Sequence, residues 1–275
     1  MVLPLVEGAL YALINPVVLD GRLSWYPRHV RGVAPVSCYL LTEPDEALLV
    51  DTGLTAHRAS LLADLEAVLA PETSLSILHT RLGEYGSICN TLAVLERFAV
   101  RAVYGTFPAH EWVGFEPEAD DGGPTREELW AGVACPLLEA TQTIELGSGG
   151  RCVEVFASPL RLLPAHWLHD ERTGTLFTSD SFTAVVRRDP AGPWTVSEDD
   201  DPSTLADLRV HLRAERHWWL DEADATPVRR RLQEHLDGRA ISRICPGYGC
   251  IVDGPAAVRR HRARMDRVLD GAGSG

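Results

Sequence analysis

The stretch SILHTRLGEYGSICN (76–90) passes from an apolar run, through a turn, into a pattern typical of a helix. The run ends at His79, so a strand delivers a histidine to the edge of a sheet, where active sites commonly form. A metal enzyme would carry more histidines and aspartates directly afterwards, but this chain has Arg81, Gly83 and Glu84. The stretch therefore predicts a site at a strand end and leaves open whether that site binds a metal.

The flanking sequence extends this pattern in both directions. Alternation of strands and helices in the first half predicts a sheet with helices packed on it. Strands are predicted for LYALINPVVL (10–19), VSCYLLTE (36–43), EALLVDTG (46–53), LSILH (75–79) and RAVYG (101–105), and helices for 57–70 and 87–98.

The second half is richer in strands. Strands are predicted for TIEL (143–146), RCVEVFASP (151–159), GTLFTSD (174–180) and ISRICPG (241–247), and helices for 203–217, 222–237 and 254–270. Two strand-rich halves, each closed by helices, predict an α/β fold, a four-layer αββα sandwich. The chain lacks a long polar linker, which predicts one domain over 1–275.

Polar groups follow several of the predicted strands, where side chains from neighbouring strand ends converge. These turn segments are 51–53, 79–86, 166–170, 179–181 and 245–254. His79, His169, Asp180 and Glu84 include the ligand types that a transition metal prefers. Each residue also has a structural interpretation: a strand-end histidine is often simply hydrogen-bonded, and Asp180 could cap a helix.

Composition narrows the classes of function. The formal charge is −13, which disfavours nucleic-acid binding, and no apolar run is long enough to span a membrane. All 26 basic residues are arginines, so a lysine Schiff base is excluded. The six cysteines form no C-x-x-C pair and are predicted to be mostly buried, reduced thiols, which favours a cytoplasmic location.

The order of four segments resembles the metallo-β-lactamase superfamily, and more narrowly its diiron branch, the flavodiiron proteins and their flavin-free oxygen-binding relatives. The segments are VAPVSCYLLTEPDEALLVDTGL (33–54), ILHTRLGEYGS (77–87), PAHWLHDERTGTLFTSDSF (164–182) and ISRICPGYGCIVDG (241–254). The helical stretch 211–236 also looks like that branch, and the resemblance spans roughly residues 5 to 270. It implies the metallo-β-lactamase-like fold.

The ligand positions of that branch are only partly retained. By position, His79, His169 and Asp180 match ligands of the family. Arg81 replaces a glutamate or histidine, Gly83 the aspartate, Glu84 the next histidine and Tyr248 the last histidine. The resemblance therefore implies at most one metal, iron or zinc, held by His79, His169 and Asp180 with Glu84 as a fourth ligand. A metal-free site, in which Arg81 pairs with Asp180 and Glu84, is favoured slightly. No flavin is expected.

Three functions remain open. The first is an enzyme with oxygen-dependent chemistry on a small molecule, aided by an electron-donor protein; a homodimer is compatible with it. The second is a single-metal hydrolase of an ester, lactone or amide, and the third a non-catalytic protein that binds a ligand or senses oxygen. The residues predicted to line the site are His79, Arg81, Glu84, His169, Asp180 and Tyr248. An enclosed cavity lined by Trp167, Trp218 and Trp219 would favour a small-molecule substrate.

Overall fold

The computed structural model describes residues 1–81, 84–112, 123–160 and 163–271. Its strands form one six-stranded and one seven-stranded sheet. They are β1 (Val2–Val6), β2 (Leu10–Leu19), β3 (Gly32–Thr42), β4 (Glu46–Val50), β5 (Ser74–Leu78), β6 (Val100–Tyr104), β7 (Thr141–Leu146), β8 (Arg151–Ala157), β9 (His166–Asp170), β10 (Thr175–Ser179), β11 (Thr195–Val196), β12 (Arg243–Pro246) and β13 (Ile251–Asp253).

Short helices connect many of these strands. The α-helices are α1 (Arg58–Val68), α2 (Tyr85–Ile88), α3 (Thr91–Arg97), α4 (Ala109–Trp112), α5 (Arg126–Trp130), α6 (Leu205–Arg209), α7 (Thr226–Leu236) and α8 (Pro255–Leu269). A π-helix covers Val210–Arg216, and 3₁₀ turns cover Thr55–His57 and Trp218–Asp221. None of the helices in the described part of the chain is long and apolar enough to cross a membrane.

Most of the predicted elements are present, and the predicted strand 10–19 coincides with β2. Two turn interpretations were wrong: the predicted turn 245–254 contains the strand β13, and His166–Asp170, also expected to be a turn, is the buried strand β9. Two histidines and an aspartate hide its strand character in the sequence. The strand tolerates them because each has a polar partner: the Glu139 carbonyl oxygen for His166, Glu154 for His169 and Arg151 for Asp170.

The chain forms two compact units, and the prediction of one domain over 1–275 stays a prediction. The first unit comprises 1–15, 36–157 and 163–173. In one sheet its strands follow the order β1–β2–β3–β4–β5–β6, with β4, β5 and β6 parallel, and in the other the order is β9–β8–β7. Apolar side chains of β3, β4 and β5 pack with those of α1 and α3, including Leu40, Leu49, Leu65, Ile77 and Val94.

The second unit comprises 16–35, 158–162 and 174–275. Its strands follow the order β11–β13–β12–β10, with β10 parallel to β12. The loop 197–204 is anchored through Asp201, whose side chain is 1% exposed. Asp201 accepts hydrogen bonds from His261, Arg264 and Ser203. Burial alone would raise its pKa, but the bonds from His261 and Ser203 hold the pKa well below its usual value.

The cysteine prediction was correct in part. All six are free thiols, and Cys38, Cys89, Cys245 and Cys250 are buried. Cys135 is half-buried and Cys152 is exposed, so the expectation of burial was wrong for Cys152. Its side chain projects from β8 at a position where the neighbouring residues Arg151 and Val153 point inward.

A buried ion pair joins β8 to β9 in the first unit. Arg151 donates from Nε and Nη2 to the two carboxylate oxygens of Asp170, at 3.1 and 2.6 Å, and both side chains are fully buried. The Arg151 Nη1 group also donates to the carbonyl oxygens of Ala9 and Thr42. The pair therefore connects these strands to the β1–β6 sheet of the same unit.

Replacing Asp170 by asparagine should destabilise the protein strongly, because it leaves the buried Arg151 with only the more distant Glu43, 3.5 Å from Nη1 and shared with Arg172. We expect a loss of ~3–5 kcal/mol in the free energy of unfolding, measured by urea denaturation. The matched control is Glu66→Gln, which breaks the exposed Arg97–Glu66 pair and should cost less than about 1 kcal/mol. Equal losses for the two variants would show that the buried pair has no special role.

Candidate active site

The loops after β4 and β5 meet in the first unit. The Asp51 N–H donates to the Leu78 carbonyl oxygen at 2.9 Å, and the Thr80 N–H donates to Asp51 Oδ1 at 2.7 Å. Asp51 has a φ of 62°, a left-handed conformation that non-glycine residues rarely adopt. Because β4 and β5 are parallel, their carboxyl ends lie at one edge, and Asp51 and His79 follow those ends directly.

The Asp51 carboxylate is saturated by hydrogen bonds. Oδ1 accepts from the Thr80 N–H and the Ser87 hydroxyl, and Oδ2 accepts from the Thr80 hydroxyl and from Arg81 Nη2. Four donors on a carboxylate with 3% side-chain exposure fix its position. Asp51 thus organises the loop after β5.

Arg81 lies inside this loop, with 2% of its side chain exposed. Its Nη2 is 3.3 Å from Asp51 Oδ2, and its Nη1 is 3.3 Å from Glu84 Oε2. We call these three residues the Arg81 cluster. The predicted pairing with Glu84 is confirmed. The predicted pairing with Asp180 stays a prediction.

His79 is buried and is held from one side. Its Nε2 lies 2.8 Å from the Thr91 hydroxyl, which donates its own proton to the Ile88 carbonyl oxygen at 2.9 Å. The hydroxyl must therefore accept from Nε2–H, which assigns the tautomer and leaves the lone pair on Nδ1. Burial lowers the pKa of His79 to about 4, although the nearby Asp51 charge opposes this shift. His79 is neutral at pH 7.

His169 lies on β9, directly opposite Glu154 of β8. Its Nδ1 is 3.6 Å from Glu154 Oε2, and its side chain is 5% exposed. The start of β9 touches the loop after β5, since the His166 N–H donates to the Thr80 carbonyl oxygen at 2.8 Å. Strand β9 and the Arg81 cluster therefore belong to one region of the first unit.

Asp180 and Tyr248 belong to neighbouring turns of the second unit. The Gly247 N–H donates to the Ser179 carbonyl oxygen at 2.7 Å. Gly249 has a φ of +84°, and a Cβ there would lie 2.5 Å from the Thr183 carbonyl oxygen, so only glycine fits. The turns after β10 and β12 are thus packed together, as parallel neighbouring strands require.

Tyr248, at the position of a family histidine, is fully buried among aromatic rings. Its ring stacks on Trp25 at 4.9 Å between centroids and meets the edge of Tyr26 at 5.7 Å. The tryptophans named in the sequence differ in environment: Trp167 is buried against Phe156, whereas Trp218 is 66% exposed.

The predicted site residues thus fall into two groups. The first unit contains His79, Arg81, Glu84 and His169, and the second contains Asp180 and Tyr248. Their convergence into one site stays a prediction, and Gly83 lies outside the described residues. Thr91 was not predicted as the partner of His79, because twelve residues and a helix start separate them.

The donor set does not fit a metal ion. Within the described residues, no group of three or more His, Cys, Asp or Glu side chains is arranged to hold one. The Nε2 of His79 is used by Thr91, and Glu84 is paired with a permanently charged guanidinium that would repel a divalent cation. The proposed ligand set of His79, His169, Asp180 and Glu84 therefore lacks support from this geometry.

No protein-family model matches this sequence, and a sequence search among curated proteins finds no match. Solved structures are similar in fold. Rubredoxin oxygen:oxidoreductase from Desulfovibrio gigas aligns with a TM-score of 0.69 and 16% identity, over 98% of this chain and 62% of that one. A putative diflavin flavoprotein A 5 fragment from Nostoc aligns with a TM-score of 0.67 and 16% identity, over 98% and 95%.

The flavodiiron protein from Giardia intestinalis aligns with a TM-score of 0.67 and 14% identity, over 98% of this chain and 60% of its own. The predicted α/β fold is confirmed, and it is the fold of these solved flavodiiron structures. This chain spans about three-fifths of the longer of these proteins.

Stability should depend on pH through His79. Its pKa is about 4 in the folded protein and about 6.5 when unfolded, so the unfolded chain binds more protons between these values. Above pH 6.5, His79 is neutral in both states and the protein has its full stability. As the pH falls from 6.5 towards 4, the free energy of unfolding decreases by on the order of 3 kcal/mol. His79→Gln should flatten the urea-unfolding profile over this range, and an unchanged slope would contradict the assignment.

Replacing Arg81 by alanine should leave the buried Asp51 without its cation. We expect ~3–5 kcal/mol of destabilisation, seen in thermal and urea unfolding near neutral pH, or recruitment of a divalent cation that EDTA removes. The control, Arg97→Ala, removes an exposed arginine of the same unit. A variant as stable as the wild type in EDTA would show that Arg81 does not replace a metal.

Proposed function

We propose that this chain is an oxidoreductase-like protein that acts on a small molecule at a remodelled site, in which Arg81 supplies the fixed positive charge in place of a dinuclear metal centre. The observation that carries this proposal is the buried Arg81 cluster. Its guanidinium lies between Asp51 and Glu84, immediately after the strand-end histidine. An oxidative reaction is favoured over the hydrolase alternative, since a solved structure of the same fold is named a rubredoxin oxygen:oxidoreductase.

The residues of the first unit have distinct roles in this proposal. Neutral His79 presents a lone pair at Nδ1 while Thr91 fixes its ring, which suits it to accept a proton from a bound substrate. Asp51 and Ser87 position the loop that carries Arg81. The Arg81 guanidinium pairs with Asp51 and with Glu84 of the loop that follows His79. His169, Asp180 and Tyr248 complete the site if the predicted convergence holds.

Electrons must leave the substrate for an acceptor in such a reaction. Rubredoxin oxygen:oxidoreductase is named for an electron-carrier protein and for oxygen. By analogy, we propose that a redox protein or dioxygen serves as the second reactant here.

A second candidate function is ligand binding or sensing without turnover. The saturation of Asp51 and the pairing of Glu84 with Arg81 favour it, since those carboxylates are already bonded within the protein. Turnover separates the two functions, because a binding protein changes its stability with a ligand but consumes no oxygen or electron carrier.

Metal content tests the remodelled site directly. Protein purified without chelator should contain no stoichiometric iron or zinc by elemental analysis. Restoring the family pattern with Arg81→Glu, Gly83→Asp and Tyr248→His together should create tight metal binding, because it removes the repelling cation and adds ligands. Two equivalents of metal in the wild type would overturn the proposal.

Catalysis is tested by oxygen uptake and by reduction of an oxidised rubredoxin, with a panel of small organic acids and alcohols as substrates. Turnover that is insensitive to EDTA and is lost in His79→Gln would support the enzyme. Arg97→Ala, which lies on the surface of the same unit, is the matched control and should retain full activity. Saturable binding of a panel member without turnover would favour the sensing function.

A further inference from the structure

The second unit contains a cavity unrelated to any residue predicted from the sequence. It has a volume of about 690 Å³ and is formed by the segments 26–31, 184–192 and 202–211. A volume of this order suits a small organic molecule. We call it the arginine pocket, since Arg31, Arg187 and Arg188 line it.

The charge of the pocket differs from that of the whole chain. Three arginines gather here in a protein of formal charge −13. Two carboxylates, Asp189 and Asp207, also line the pocket. Both already accept hydrogen bonds from their own loops, Asp189 from the Ala191 N–H and Asp207 from the N–H and hydroxyl of Thr204. The lining therefore carries three cationic and two anionic side chains, a small positive excess that favours an anion at the arginines.

The three arginines are not equivalent. Arg187 is fixed by two bonds to Asp200, at 3.0 and 2.8 Å, and by the carbonyl oxygens of Pro193 and Thr195. Arg31 is oriented by Nη1, which donates to the carbonyl oxygens of Arg28 and Val30. The exposed Arg31 and Arg188 are thus the cations best placed to meet a ligand.

The pocket also has an apolar and aromatic side. Tyr26 and His211 are each 5% exposed, and their rings lie 5.2 Å apart. Both are tied to Thr183: the Tyr26 hydroxyl donates to its carbonyl oxygen at 3.0 Å, and His211 Nε2 lies 2.8 Å from its hydroxyl. Val186 adds apolar surface beside this pair.

Two further features hold the walls in place. Pro202 and Ser203 line the pocket next to the buried Asp201, which His261 and Arg264 anchor to α8. Val210 and His211 open the π-helix 210–216, an arrangement that is rare and frequently marks functional sites. A rigid wall lowers the entropic cost of binding.

We propose that the arginine pocket binds a small aromatic carboxylate. The aromatic body packs against Tyr26, His211 and Val186, and the carboxylate pairs with Arg31 and Arg188. This inference goes beyond the proposed function, because all the residues that carry it belong to the second unit and none to the Arg81 cluster.

Calorimetric titration of the full chain with indole-3-acetate and with the uncharged indole-3-acetamide tests the proposal. The acid should bind at least about tenfold more tightly than the amide, because the pocket provides charged hydrogen-bond donors, and this preference should shrink at high salt. No binding of the acid at millimolar concentration, or equal affinity for both probes, would overturn the proposal.

Variants locate the site. Arg31→Gln combined with Arg188→Gln should lower the affinity for the acid by at least about tenfold and leave the affinity for the amide unchanged. Val186→Trp should crowd the apolar side of the pocket and weaken binding of both probes. Arg230→Gln, a 70% exposed arginine on α7 of the same unit, is the matched control. An equal loss of affinity in the control variant, or full affinity in Val186→Trp, would show that the probes bind elsewhere. Retained affinity in Arg81→Ala would show that this site is separate from the proposed active site.

Discussion

A buried guanidinium needs counter-charges, and this constraint shapes the site of the first unit. Arg81 cannot lose its proton at any physiological pH. With 2% of its side chain exposed, it forces the chain to hold Asp51 and Glu84 around it. Asp51 in turn accepts hydrogen bonds from Thr80 and Ser87. The loop after β5 is therefore arranged around one positive charge.

A divalent metal bound in a fold of this kind would need counter-charges in the same way. It is a concentrated positive charge at the ends of strands, and it is stabilised by carboxylates and histidines that follow those strands. In this protein a side chain of the loop itself carries the positive charge. The carboxylates that an ion would need are consequently neutralised within the protein, and His79 is free to be a neutral hydrogen-bonded residue. In our proposal, Arg81 takes the place of a metal, which changes the chemistry of the site without requiring a change of fold.

The two units place arginine in different environments. In the first, Arg81 and Arg151 are enclosed and fully paired, which makes them structural cations. In the second, Arg31 and Arg188 remain exposed at a cavity with an aromatic floor. A chain whose 26 basic residues are all arginines therefore uses the guanidinium both to hold strands together and to present charge to a ligand. Only burial and the available carboxylates distinguish the two uses.

The sequence by itself determined the elements and the fold class. Apolar periodicity located β2, β4, β5 and the helices, because burial of a strand or helix face leaves a direct mark on residue spacing. It also identified His79, Arg81 and Glu84 as neighbours after one strand. It failed at β9, where buried polar residues erase the apolar pattern because their partners lie on other elements. Only the tertiary structure could decide that Arg81 pairs with Asp51, thirty residues earlier, and that Thr91 fixes His79. Hydrogen bonds and ion pairs between distant segments leave no periodic trace in a single sequence, since they depend on how the chain brings its strand ends together.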